Sequence, residues 1–174
     1  MRATANILLS LAAAAFIVGT RCAAAEPAAP PVSFSVVQGH LKVGFDQLAS
    51  FPFDTPDASA EPASAAALEG AIPARIKALD GKQVMVTGYM LPVKMDGDQT
   101  TEFLLVVSPM LCCYGMVPRM NEWILVRMAK GGSQVVMDTP IQFFGRLHVK
   151  PVAENGMMIG IYFLDGEKMG DGQG

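Results

Sequence analysis

The chain is poor in the residues that carry most enzymatic and metal chemistry. Its 174 residues include three cysteines, two histidines and one tryptophan. Only 17% of the residues are charged, and 13 Lys and Arg stand against 16 Asp and Glu, a net charge of −3. With no basic excess and no basic stripe, nucleic-acid binding is not expected, because it rests on neutralising phosphates. Neither histidine has a Ser or Cys partner at a recognisable spacing, so a hydrolytic triad has no support. No C-x-x-C or H-x-x-x-H pattern is present. Asp96 and Asp98 mark a turn and lack the further oxygen ligands of a calcium loop. No acid, base and nucleophile set can be named, which points away from an enzyme with an ordinary substrate.

What is present begins with an export pattern. Arg2 gives a positive start, Ile7 to Gly19 is a short apolar run, and Ala23-Ala24-Ala25 offers a small-residue cleavage site before Glu26. The apolar run falls short of the roughly 20 residues that span a bilayer. Residues 1–25 therefore read as a signal peptide, and a periplasmic protein that is not integral to the membrane is expected. Arg21 beside Cys22 disfavours lipoprotein anchoring at Cys22. Loss of Arg2 and Arg21 with the signal would reduce the 13 basic residues to 11 against 16 acidic ones, a net −5.

Residues 26–64 read as a leader and linker with one short strand or turn. Phe45, Leu48, Phe51 and Phe53 would pack that segment on the domain, and the Pro, Ala, Ser and Asp of 54–64 form the linker. Residues 65–174 are expected to form a single β domain. Ile72 to Leu79 has helical spacing, with Pro73 in its first turn and Gly81 just past its end. From there the apolar period becomes two, and strands are expected at 83–92, 102–108, 122–128, 141–150 and 157–164. In the fourth, Ile141, Phe143, Gly145, Leu147 and Val149 face one way and Gln142, Phe144, Arg146, His148 and Lys150 the other. Gly88 and Gly145 fall where a strand would kink or bulge to curl the sheet. The expected fold is mainly β: a small five-stranded OB-like barrel or curled antiparallel sheet with one short helix before the first core strand. A small open antiparallel sheet covered by one helix is the alternative.

The feature that asks for chemistry is Cys112-Cys113, in the loop between the second and third strands. Gly115 and Pro118 imply a fixed backbone path there. Three chemistries are open to the pair. Neighbouring Cα atoms lie about 3.8 Å apart, whereas ordinary bridges want about 4.4–6.8 Å, so a vicinal disulfide would be strained and easily reduced. Two thiolates also suit zinc or copper(I). Met110, Met116 and Met120 would favour copper, and His40, His148, Glu122 and Asp138 are candidate helpers for zinc. Each thiol could instead bond to another chain. Against these stands a structural role, with the cysteines as small buried hydrophobes or a staple and the methionines as core fillers.

Several blocks of this sequence form a pattern: Ile72-Pro-x-x-Ile-x-x-Leu-Asp-Gly-Lys82, Val84-x-Val-x-Gly-Tyr-Met-Leu-Pro92, Phe103-Leu-Leu-Val, Cys112-Cys-Tyr-Gly-x-x-Pro118 and Asn121-Glu. From Ile72 to Leu164 the chain resembles an exported bacterial family catalogued as domain of unknown function 3299. The resemblance implies a small periplasmic β domain, often encoded near ABC-type export or metal-uptake components, with no established activity. It marks Cys112, Cys113, Gly115, Pro118 and Asn121 as the site, with Gly88 and Pro92 as structural positions of the motif. Met116 and Met120 fall outside the pattern, which weakens the case for copper. Three functions follow as expectations. One is a non-enzymatic accessory or binding protein of an ABC-type transport system that binds zinc or copper through the Cys112-Cys113 loop. The others are a thiol-redox protein with a vicinal disulfide and a structural partner-docking domain.

Overall fold

Alternating apolar residues bury one face of a strand, and several such strands can enclose a core only by curling around it. The computed structural model describes residues 34–53, 65–110, 118–154 and 157–170. In chain order these form β1 (Val36–Val37), β2 (His40–Val43), α1 (Phe45–Leu48), α2 (Ala65–Ala71), α3 (Ala74–Lys77), β3 (Gln83–Asp96), β4 (Gln99–Val106), β5 (Trp123–Met128), β6 (Ser133–Gln134), β7 (Ile141–Glu154) and β8 (Met157–Met169). The strands make one eight-stranded sheet in the order β1-β2-β3-β7-β8-β5-β4-β6, and β3 also pairs with β4. That extra pairing closes β3, β4, β5, β8 and β7 into a five-stranded ring. The mainly-β expectation holds, and the closed ring replaces the open-sheet alternative. Not every pair is antiparallel as expected of a simple curled sheet: β5 runs parallel to β8, and β2 parallel to β3.

The ring closes because β3 changes partners along its length. Gln83 to Gly88 pair with β7, and Tyr89 to Asp96 pair with β4. Gly88 is the last residue before the change. A Cβ there would lie 2.9 Å from both Leu105 Cγ and the Val106 carbonyl oxygen, so only glycine lets β4 approach this closely. Gly145 marks a second bend, where the β7–β8 register shifts between Phe144 and Gly145.

Phe103, Leu105, Phe143, Leu147 and Leu164 fill the ring and are fully buried. The Phe103 and Phe143 rings meet edge to face, 5.0 Å apart at 74°. Each such side chain contributes about 1.5–3 kcal/mol by leaving water. The face predicted for Ile141, Phe143, Leu147 and Val149 is the buried one. Phe144, on the opposite face, is buried as well. It lies under the N-terminal strands, with the His40 ring edge-on at 5.0 Å.

The segment before the domain makes two short strands and a helical turn, where one strand or turn was expected. Phe45, Leu48, Phe51 and Phe53 are all buried in the common core, as their spacing suggested. Among the described residues, three short helices precede the ring where one was expected. α3 occupies the middle of the predicted helix, with Pro73 at its N-cap and Ile72, Ile76 and Leu79 buried. Gly81 follows at φ +71°, the left-handed conformation that a helix stop favours. Its N–H donates to the Leu147 carbonyl at 2.7 Å, and Asp80 Oδ1 accepts from the Val149 N–H at 2.8 Å. These two bonds tie the helix end to β7. Residues 1–25, the linker at 54–64, and Cys112, Cys113, Gly115 and Met116 lie outside the described residues. Among the described residues, no helix is long and apolar enough to cross a membrane.

Candidate functional site

The Cys112-Cys113 connection leaves β4 after Val106 and enters β5 at Trp123, and these two residues face each other across an antiparallel pair. The connection is thus mounted on two adjacent strands of the ring. On its near side, Met110 donates its N–H to Ser108 Oγ at 3.3 Å and is itself about half exposed. On its far side, Arg119 to Glu122 form a tight turn, in which the Glu122 N–H donates to the Arg119 carbonyl at 2.8 Å. Glu122 Oε2 accepts from the Arg119 N–H at 2.9 Å, and Oε1 accepts from the guanidinium at 2.8 and 3.1 Å.

Partial burial pushes the Glu122 carboxyl up, but the Arg119 hydrogen bonds and charge outweigh it and hold it below the ordinary carboxylate value. A depressed carboxyl stabilises the fold at pH values above its unfolded pKa, and that contribution disappears as pH falls through the folded value. Glu122→Gln should therefore lower the urea midpoint modestly at pH 7, by under about 1 kcal/mol for a pair this exposed, and have almost no effect near pH 3. Equal losses at the two pH values would remove the ion pair as the cause.

Between the turn and the core, Met120 is 5% exposed and Asn121 fully buried. Met120 is a core filler, as methionines usually are. Asn121 Nδ2 donates to the Phe51 carbonyl at 2.8 Å. Tyr162, inside the ring, donates its hydroxyl to the Leu48 carbonyl at 2.8 Å. Two buried side chains thus fasten the segment from Leu48 to Phe53 over the end of the ring that carries the cysteine loop. Asn121 Oδ1 is also buried and has no partner among the described residues.

The four predicted helpers occupy separate places. His148 stands on β7, with Nε2 2.8 Å from Asp165 Oδ2 and its ring 5.7 Å from Phe163. His40 stands on β2, with Nδ1 3.0 Å from the Gln38 carbonyl. Glu122 is held by Arg119. Asp138 sits at φ +60°, a turn position. Among the described residues, no three His, Cys, Asp or Glu side chains gather as a metal group. Pro92 and Gly88 are structural: Pro92 sits beside a register shift in the β3–β4 pairing, and Gly88 is the close-approach residue described above. Pro118 is half-buried at the start of the turn.

The outer face also carries an ordered row that sequence reading did not anticipate. Registers align Lys94, Glu102, Arg127, Asp165 and Arg146 across β3, β4, β5, β8 and β7. The signs alternate along the row, and opposite charges facing each other across strands stabilise the pairing. Arg127 Nε donates to Glu102 at 2.6 Å, and its guanidinium lies 5.5 Å from the Phe163 ring centre. Polar alternation in each strand hinted at this face. The row itself depends on pairings between segments distant in sequence.

A ring of five strands entered through three short helices, with a cysteine-pair loop bridging β4 and β5, defines a small mainly-β domain. The family described as "Protein of unknown function (DUF3299)" matches residues 55–170, and the chain belongs to that family. The crystal structure of a DUF3299 family protein from Pseudomonas aeruginosa PAO1 is similar to this chain at 28% identity and a TM-score of 0.50. The similarity covers 74% of this chain and 93% of the other. No curated protein matches significantly.

Proposed function

We propose that the chain is an exported, periplasmic, non-enzymatic binding or accessory protein whose Cys112-Cys113 loop takes a soft metal ion, zinc or copper(I). The observation that supports this reading most is the mounting of the loop. Its two ends leave neighbouring ring strands, and its far end is held by the Arg119–Glu122 turn and by buried Met120 and Asn121. Ligands on a rigid frame lose little conformational freedom when they close on an ion. Thiolates are soft donors, which sets the class of ion. The assignment of ABC-type transport components as partners comes from the family resemblance.

The test is native mass spectrometry with metal analysis of protein isolated from an exporting host and of protein reconstituted with zinc or copper(I). One ion per chain is expected, lost in Cys112→Ser and Cys113→Ser with unchanged circular dichroism. A chain that stays metal-free after reconstitution would sink the reading. In that case, a mass lower by two hydrogens in the non-reduced protein, restored by mild reduction, would favour the thiol-redox alternative. Loss of stability in the double serine variant without either signature would favour the structural, partner-docking one.

A further inference from the structure

A second cluster lies away from the cysteine loop, where the N-terminal strands cross the ring. Its geometry begins with the bulge at Phe144 and Gly145. There Gly166 pairs with Gly145 and Lys168 with Phe144, which leaves Glu167 as the extra, unpaired residue of β8. A bulge re-aims the side chain it carries. Glu167 reaches over β7 to β3 and β2: Oε1 accepts from Gln83 Nε2 at 3.0 Å, and Oε2 lies 3.7 Å from His40 Nε2.

The chemistry of that last contact is unusual. His40 Nδ1 is 3.0 Å from the Gln38 carbonyl, which can only accept, so Nδ1 carries the proton. In the neutral ring Nε2 then presents a lone pair, and that lone pair faces a carboxylate oxygen. At 3.7 Å the two are beyond hydrogen-bond reach. His40 Nε2 and Gln83 Oε1 are both buried without a hydrogen-bond partner. Buried acceptors without donors are rare, because each costs about 1–3 kcal/mol. The His40 side chain is 14% exposed, whereas Glu167 is 43% exposed and leaves the pair open to solvent on one side. Lys168, next to Glu167 in the chain, is engaged elsewhere: its Nζ donates to Gln38 Oε1 at 3.1 Å and lies over the Phe144 ring at 5.0 Å.

We propose that His40 Nε2 and Glu167 Oε2 form a binding site for a divalent transition-metal ion of the zinc class, separate from the cysteine loop. Zinc bonds to imidazole nitrogen and carboxylate oxygen at about 2.0–2.2 Å, so two donors on one ion lie within about 4.2 Å of each other. The observed 3.7 Å fits a wide ligand angle. Each donor already has an outer partner that fixes it, a backbone carbonyl on the histidine and an amide N–H on the carboxylate, as metal ligands characteristically do. Gln83 orients Glu167, and its unpaired Oε1 is the next donor at hand. Water completes the sphere from the exposed side. An ion here would clamp β2 to β8 across β3 and β7 and hold the N-terminal strands on the ring.

The test uses the full chain with Cys22, Cys112 and Cys113 changed to serine, so that no thiol competes. Zinc is titrated by calorimetry and by NMR of the two histidine rings. One zinc per chain is expected, with the His40 ring signals displaced and those of His148 unmoved. His40→Gln and Glu167→Gln should each weaken binding at least tenfold. Affinity should fall in acid, since imidazole and carboxylate must both be deprotonated to bind the ion. Glu167 is partly exposed, so its amide variant keeps the test open if His40→Gln fails to fold. The absence of saturable zinc binding, or binding that neither variant weakens, would overturn the site. A His40 signal that responds to pH and not to zinc would show that the carboxylate recruits only a proton.

Discussion

Gly145→Ala should destabilise the fold by about 3 kcal/mol, at the upper end of what overpacking usually costs, although it adds a single methyl group. The methyl carbon would lie 2.3 Å from the Asp165 carbonyl oxygen and 3.1 Å from both the Asp165 carbonyl carbon and Leu164 Cγ. Two of these three atoms are backbone, and a backbone in a paired strand cannot turn aside as a long side chain can. The clash can be relieved only by opening the β7–β8 ladder at the bulge, next to the Arg146–Asp165 and Leu147–Leu164 pairs. Both strands belong to the closed ring, so the opening is felt on both sides. Urea unfolding followed by far-UV circular dichroism measures the loss. Gly70→Ala is the control: it lies in α2, nothing stands within 4 Å of its added carbon, and alanine is the better helix former by about 1 kcal/mol. It should be neutral or slightly stabilising. If Gly145→Ala matched that control, the strand register at the bulge would be wrong.

The same glycine shows what the sequence could disclose. Period-two alternation in Ile141–Lys150 identified a strand with one buried face, and a glycine inside it signalled a bend. The strands proved longer than expected: β3 and β7 run to Asp96 and Glu154, where they end in hairpins, and β8 runs on to Met169 beside the start of β7. α2 was missed because its alanines carry no apolar rhythm; Leu68 is its buried anchor. The parallel β5–β8 pair was not legible, since no local pattern reports which distant strand becomes a neighbour.

For the site, the family pattern singled out Asn121, and the structure buries that side chain. Its partner is the Phe51 carbonyl, seventy positions away. The two histidines are candidate helpers by residue type alone, and the structure holds His148 against Asp165 and His40 against the Gln38 carbonyl on different strands. Composition could count them, but only the sheet order could separate them.

Asn121→Ala and Tyr162→Phe should each cost about 1–3 kcal/mol, because each leaves a buried carbonyl without its donor. For Asn121 the orphan is the Phe51 carbonyl; for Tyr162 it is that of Leu48. Both carbonyls lie on the one short segment that closes the loop end of the ring, between Leu48 and Phe53, both of which are buried. Once one bond is gone the segment can tilt and recover water for the other carbonyl. The double variant should therefore lose less than the sum of the singles, a coupling that a double-mutant cycle in urea would read. Strict additivity would mean that the two bonds hold independent pieces.

Tyr162 offers a second readout. Burial raises its phenol well above the ordinary tyrosine value, and the charge of Arg75 pulls it back only in part. A raised folded value means that the native state holds its proton longer than the unfolded one. The corresponding stability is complete below about pH 10 and is lost as pH climbs toward the folded value. Tyr162→Phe should thus cost most at neutral pH and progressively less in alkali, while Asn121→Ala should show no such trend. Phenolate absorbance recorded alongside the unfolding curve tests the assignment: in the intact protein one of the three tyrosines should ionise only as the ring opens. If Tyr162 ionised near pH 10 while the fold persisted, its bond to Leu48 would not hold the segment, which would then be tied among the described residues by buried Asn121 and, at the surface, by Arg75 on Ser50.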